Sequence, residues 1–460
     1  MNQRAVRTTA ESRAVMMVLL AIATVLVTAK ASWWVETWDF FPFAGALGVH
    51  TLIYIAAVVL IVRGPVPPGA LCVILVAAAV ARAVAMTCPV NLTTDILRYV
   101  WDGRIQLGGF NPFLHVPADP VLAQYQGWVE FANINQKDTS VTIYPPVAQM
   151  VFLLSARLFD TIEGMRLVMA GFEALTIWAT MRWLETDGLP RERVVIYAWH
   201  PLPIWEFSSQ GHIDSVAVAF MMLMVLAAAR RRQGLAGLAL GLAFSAKYFP
   251  IALVPALWRK WDWRMPAAFA VTTAIVYLPY WWTAGPRVIG FLNRYLDNEG
   301  YGSGYGFHVI WLLRDFKIGD MAGRTYVVAS LLILAALALW AFVARRRDDI
   351  RPDAMVVIAA AFIWLTSPHY PWYFGWMIPL LAMRLYPSVL AFSLLAVSQN
   401  IPGDEGSYWL RSSMFYLAVF GVSLVAMIGE LAWRATRQAN PRHARESIVS
   451  ERLVPAPPNG

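Results

Sequence analysis

The chain has 460 residues, 58% of them hydrophobic and only 14% charged, a balance that excludes a soluble domain and reads as a membrane protein. A net charge of +8 raises nucleic acid as a partner, but the basic residues cluster in a way that explains the charge as an orientation signal, so no nucleic-acid partner is expected. Cys72 and Cys88 lie in and at the end of one apolar run, about 24 Å apart on a helix rising roughly 1.5 Å per residue, which excludes a disulfide between them.

In chain order, apolar runs that read as spans fall at 14–30, 41–62, 69–87, 165–184, 194–208, 213–229, 265–283, 326–344, 354–367, 386–401 and 413–433. The first is too long, and too closely followed by others, to be a cleaved signal peptide. Three further segments are awkward: 143–159 is short, 234–258 carries Lys247 in its middle, and 373–383 is barely half a span. The expected fold is an all-α polytopic integral membrane protein of about 12–14 membrane helices, some of them short or broken. It is read as a single membrane domain over 1–433, followed by a polar, disordered cytoplasmic tail over 434–460.

Basic clusters stand at Arg191/Arg193, "RRR" at 230–232, "WRKWDWR" at 258–264 and "ARRRDDIR" at 344–351, and such clusters face the cytoplasm. Both ends of 234–258 are then cytoplasmic, which makes it a hairpin of two short helices with Lys247 at its outer turn. Segment 143–159 becomes an interfacial or re-entrant helix on the outer face, the kind of irregular element tolerated where it is buried in protein or lines a cavity. Both termini come out cytoplasmic. Two long outer loops follow, 88–164 and 284–325, the second containing the glycine-rich "NEGYGSGYGFH" at 298–308, which suits a mobile substrate loop. The unusual polar residues Asp95, Asp102, Tyr144, His212, Asp214, Lys247, His308, His369 and Tyr370 all fall on that one side.

The densest of this chemistry is "NLTTDILRYVWDGRIQLGGFNPF" at 91–113. Thr94 is placed to cap a helix that runs to Leu107 and stops at Gly108–Gly109. On it Asp95, Arg98/Tyr99 and Asp102 share one face, and two carboxylates with an interleaved arginine suit binding a hydroxylated acceptor and removing its proton. A bland reading covers the same spacing: Asp95 favouring the helix N-terminus and Asp102 in a structural salt bridge with Arg98. Asp214 could likewise be a helix-capping aspartate after the Gly211 turn, and Lys247 a snorkelling lysine instead of a phosphate ligand. Most Trp and Tyr of "SPHYPWYFGW" at 367–376 read as an interfacial belt, His369 less easily so. Arg82, Glu173 and Glu206 lie inside predicted spans and are expected to be buried structural partners. No Walker A, Rossmann glycine, HExxH or CxxC motif is present, and the HxD of His212 and Asp214 is too short to argue a metal site.

"TDILRYVWDGRIQLGGFNPF", followed by "YPP" at 144–146, resembles the first large outer loop of GT-C glycosyltransferases. It is similar in particular to the polyprenol- and dolichol-phosphate-mannose-dependent mannosyltransferases. "HPLPIWEFSSQGHID", "AKYFP" at 246–250 and "HYPWY" at 369–373 match further landmarks in the same order, so the resemblance covers roughly 90 to 375. In those families the acidic loop usually follows the first span, whereas here it follows the third. The resemblance implies a cell-membrane enzyme, in a bacterial inner membrane, with a periplasmic active site. It moves a sugar, mannose by analogy, from a polyprenyl-phosphate donor to a hydroxyl on a glycolipid, polysaccharide or protein acceptor. Asp95 would be the general base of an inverting displacement, with Lys247, Arg98 or Arg104 facing the leaving phosphate. Asp102, His212 and Asp214 would shape the sugar or acceptor pocket, joined in substrate binding by Tyr144, His369 and Tyr370 of the matching motifs. Some GT-C enzymes use a divalent metal and others do not. No strong ligand set is visible here, so no cofactor and no metal is predicted.

A polytopic transporter or flippase for lipid-linked sugars is the main rival, but that class favours inverted repeats and ionisable groups at the bilayer midplane. Here the polar residues concentrate in outer loops. A non-catalytic subunit of a glycosylation complex is the third reading, and it predicts that Asp95 is dispensable for transfer.

Overall fold

The computed structural model describes residues 3–344, 349–400 and 417–439, and these form helices and no strands. The predicted tail lies almost wholly outside the described residues. The chain opens with α1 (Gln3–Glu36), α2 (Phe40–Val62) and α3 (Ala70–Ala85), a group in which α1 packs on both others. Next come α4 (Asp95–Leu107) and α5 (Pro146–Leu158), packed on each other, and α6 (Ile162–Thr186). α7 (Val195–Ala198) precedes α8 (Asp214–Ala229), α9 (Gln233–Phe244), α10 (Val254–Leu257) and α11 (Arg264–Ala284). α6, α8, α9 and α11 pack in sequence, each on the next. Short α12 (Leu292–Asn298) and α13 (His308–Asp315) lead to α14 (Gly323–Val343), α15 (Pro352–Thr366), α16 (Ile378–Met383), α17 (Pro387–Ala396) and α18 (Ser423–Ala439).

Thr9–Glu36, Phe41–Val62, Gly323–Val343 and Leu417–Arg437 are each long and apolar enough to cross a bilayer. The other expected spans fall on shorter, broken or less apolar helices. The segment expected to span at 194–208 is α7 followed by a π-helical turn, Pro203–Ser209, that meets α8 at 114°. Pro201 and Pro203 cause the break, because proline removes a backbone donor and clashes with the preceding turn. The bend itself sits at Gly211, whose φ is +74° and where a Cβ would lie 2.5 Å from Ile96 Cδ1, so only glycine fits. Residues 234–258 are a broken hairpin: α9 ends at Phe244, Lys247 lies in the irregular turn, and a 3-10 turn, Phe249–Leu253, runs back into α10.

Two of the buried carboxylates, Glu173 and Glu206, are paired. Arg82 on α3 meets Glu173 on α6 at 2.7 Å and donates to the Ala198 carbonyl at 2.7 Å, while Ser208 donates to the other Glu173 oxygen. Glu206 instead partners His212. Because an unpaired charge in this interior would cost several kcal/mol, these contacts fix α3, α6 and the broken limb against one another.

The described residues of the basic clusters gather at one end of the molecule. Lys260 donates to the Val343 carbonyl at the end of α14, and Arg259 N–H to Gln233 at the start of α9. Arg351 N–H bonds the Ala256 carbonyl, and Arg384 pairs with Asp353 at the start of α15. α9 and α15 run from this end toward Lys247 and His369, so the unusual polar residues collect at the opposite end. Exposed tryptophans flank the apolar surface at both ends, Trp261 and Trp263 with the basic clusters and Trp38 and Trp282 at the other, as at the two interfaces of a bilayer.

Candidate active site

Asp95 opens α4. Thr94 holds the cap position but its hydroxyl does not cap; it donates to Asn135 Oδ1 at 2.7 Å, and Thr93 Oγ1 accepts from the Asp95 N–H at 3.2 Å instead. α4 ends as expected at Gly108 and Gly109, the latter with φ +85°. It crosses α5 so closely that a Cβ on Gly103 would stand 2.3 Å from the Phe152 carbonyl oxygen. The Tyr99 ring stacks on Phe152 at 4.6 Å, and Tyr144 meets Tyr99 edge-on at 4.8 Å.

Asp95 thereby faces a cavity of ≈ 1120 Å³ that Asp95, Arg98, Tyr144, Lys247, His369 and Tyr370 all help to line. Its Oδ1 accepts from Asn135 Nδ2 at 3.2 Å and its Oδ2 from the Tyr144 hydroxyl at 3.4 Å. Burial, reinforced by the Asp95 charge, pushes the Tyr144 phenol well above its ordinary range, so Tyr144 stays a neutral donor.

Lys247 Nζ lies 3.2 Å from Asp214 Oδ2 and 4.6 Å over the Tyr373 ring. Asp214 is the first residue of α8 and is buried; it is a partner for Lys247 and does not occupy the cap position, which Ile213 holds. His212 is buried beneath the wall, with Nδ1 2.9 Å from the Glu206 carbonyl and its ring stacked at 3.9 Å on Trp372. Trp372 stacks in turn on Tyr370 at 4.6 Å. The glycine-rich loop closes the remaining side: Glu299 accepts from His369 Nδ1 at 2.8 Å and from the Tyr370 hydroxyl at 3.1 Å, while His369 Nε2 meets the Gly306 carbonyl at 2.9 Å.

The other end of the cavity is apolar. Val327, Leu331 and Leu334 of α14 and Phe362, Ile363 and Leu365 of α15 wall it. Chemically the space offers a carboxylate and an ammonium at one end and a greasy slot at the other.

The structure does not gather every residue singled out from sequence. Asp102 is fully buried behind the wall, where it holds Arg98 at 2.8 Å and accepts from Gln149 at 2.9 Å. Arg98 reaches the cavity but is committed to Asp102 and to the Ser140 carbonyl. Arg104 lies outside the cavity, paired with Asp160 at 2.9 Å and stacked on Trp128. His212 and Asp214 support the wall from below. Sequence reading missed Asn135 and Glu299; Glu299 had the weak signal of a lone carboxylate in a glycine-rich loop, Asn135 none. Among the described residues, no group of three or more His, Cys, Asp or Glu side chains is arranged to hold a metal ion.

Residues 142–368 match the model of glycosyltransferase family 87. The match takes in Tyr144, His212, Asp214, Lys247 and Glu299, and starts after Asp95. The polyprenol-phosphate-mannose-dependent alpha-(1-2)-phosphatidylinositol pentamannoside mannosyltransferase of Mycolicibacterium smegmatis is 26% identical over 323 residues, covering 64% of this chain and 76% of that protein. No solved structure matches. The chain is an all-α polytopic membrane protein whose residues 142–368 are similar to glycosyltransferase family 87.

Proposed function

We propose that the protein transfers a mannosyl group from a polyprenyl-phosphate donor to an acceptor hydroxyl at the outer face of the membrane, by a single inverting displacement with Asp95 as general base. The observation that carries this reading is the two-ended cavity, with Asp95 and Lys247 at its polar end and α14 and α15 walling its apolar end. The isoprenoid lies along α14 and α15, and its phosphate comes to Lys247. Asp95 takes the proton of the acceptor hydroxyl as that oxygen bonds the anomeric carbon. The bond from that carbon to the phosphate oxygen breaks, and the electron pair leaves on polyprenyl phosphate. Lys247 meets the charge that develops there, the point at which a preorganised cation helps most. Backside attack inverts the anomeric centre. Collection of the basic clusters at the far end supports an outward-facing site, and mannose as the sugar rests on the name of the relative.

The test is transfer by purified protein in detergent from labelled polyprenyl-phosphate mannose, with mannosylated phosphoinositides first in the acceptor panel. Asp95→Asn keeps the shape and removes the base, so the rate should fall by about 10²–10⁴-fold with donor binding retained. Undiminished transfer by that variant would remove Asp95 from the role.

A further inference from the structure

On the reading of Asp95 as the base, we infer that Asn135 is its positioning residue: the amide clamps the carboxylate in the orientation in which it meets the acceptor hydroxyl. Asn135 comes from the first long loop, 40 residues from Asp95, yet its place is built with care. The Ile134 side chain beside it is buried, and Phe131 packs on Trp101 of α4 at 5.1 Å. On the other side Gln136 adopts φ +51° and accepts from Ser140 Oγ at 2.7 Å. The Ser140 carbonyl is held by Arg98 at 3.1 Å, and Arg98 by Asp102. α4 therefore grips both flanks of the segment that carries Asn135 and also carries the carboxylate that Asn135 touches.

The chemistry of the contact sets the amide's orientation. A carboxylate only accepts, so the NH₂ group faces Asp95, and the amide oxygen takes the Thr94 hydroxyl proton at 2.7 Å. With the Tyr144 hydroxyl on the other oxygen, each Asp95 oxygen has one protein donor. The plane of the carboxylate is defined, and a lone pair on each oxygen remains for substrate. Asn135 itself lines the cavity, where the acceptor must pass. Such second partners matter because a small misplacement of a reacting group costs up to about 10²-fold in rate.

The experiment measures kcat, donor KM and the pH dependence of kcat/KM for Asn135→Ala, Asn135→Asp and Asp95→Asn. Asn135→Ala should lower kcat by about 10–100-fold at little change in donor KM. Asn135→Asp is nearly isosteric and puts a second carboxylate against the first, so the acid limb of kcat/KM should move to higher pH by on the order of one unit. A merely structural role would leave that limb in place. If Asp95→Asn is inactive while both Asn135 variants keep wild-type kcat and pH profile, the positioning role is overturned and the base survives. If Asp95→Asn transfers normally, both readings fall. Should Asn135→Ala not fold, the pH profile of Asn135→Asp decides.

Discussion

Lys247 stays in an otherwise apolar hairpin because Asp214 is within 3.2 Å and the Tyr373 ring lies under its ammonium. Only 2% of the Asp214 side chain is exposed while Lys247 keeps 16% of its own open, so the aspartate suffers more when the pair is broken. Lys247→Met should destabilise the protein by about 3 kcal/mol, near the low end for stranding a buried charge. Adding Asp214→Asn should return most of that stability, because the stranded charge is gone. Donor affinity should stay weak in both variants, since neither holds an ammonium to meet phosphate. Thermal unfolding in detergent, with and without polyprenyl phosphate, separates the two effects. Full donor-induced stabilisation of the double variant would remove Lys247 from the phosphate.

At the scale of elements, the site depends on how closely α4 and α5 approach. Gly103 puts the α4 backbone against the Phe152 carbonyl, and the Tyr99–Phe152 stack and the Asp102–Gln149 hydrogen bond share that crossing. A methyl group there meets backbone, which cannot swing aside as a side chain would. Gly103→Ala should cost about 1–3 kcal/mol and at least tenfold in transfer, because α4 carries Asp95 and grips the Asn135 segment. Gly45 on α2 has open space around it, so Gly45→Ala is the matched control and should lose nothing in unfolding temperature or transfer. Equal losses in both variants would show that the crossing is not what matters. The broken limb makes a parallel case: its prolines could be read in the sequence, but the π-helical turn and the 114° bend that bring His212 and Asp214 under the cavity could not.

For the whole molecule, the basic clusters and the polar site sit at opposite ends, and sidedness can be read by labelling. In a background with Cys72 and Cys88 replaced by alanine and serine, Ser303→Cys on the glycine-rich loop and Arg231→Cys between α8 and α9 each place one exposed thiol. A membrane-impermeant maleimide should label the first in intact cells and the second only after lysis. The reverse pattern would turn the protein over and overturn the outward-facing site.

By itself the sequence determined the class and pointed to several residues of the candidate site. Composition demanded a membrane protein, and charged or aromatic residues that interrupt an apolar chain, such as Asp95, Tyr144, Lys247 and His369, declare themselves because burial in lipid penalises them unless they serve something. Helix α4 was legible down to its glycine stop because helix ends are encoded within a few residues. Partners were not legible. Whether Asp102 faces substrate or Arg98, whether Arg104 is available or bound to Asp160 56 residues away, and that Asn135 and Glu299 belong to the site at all were decided only by tertiary structure. Contacts between distant segments follow from packing, and no local pattern of residues carries them.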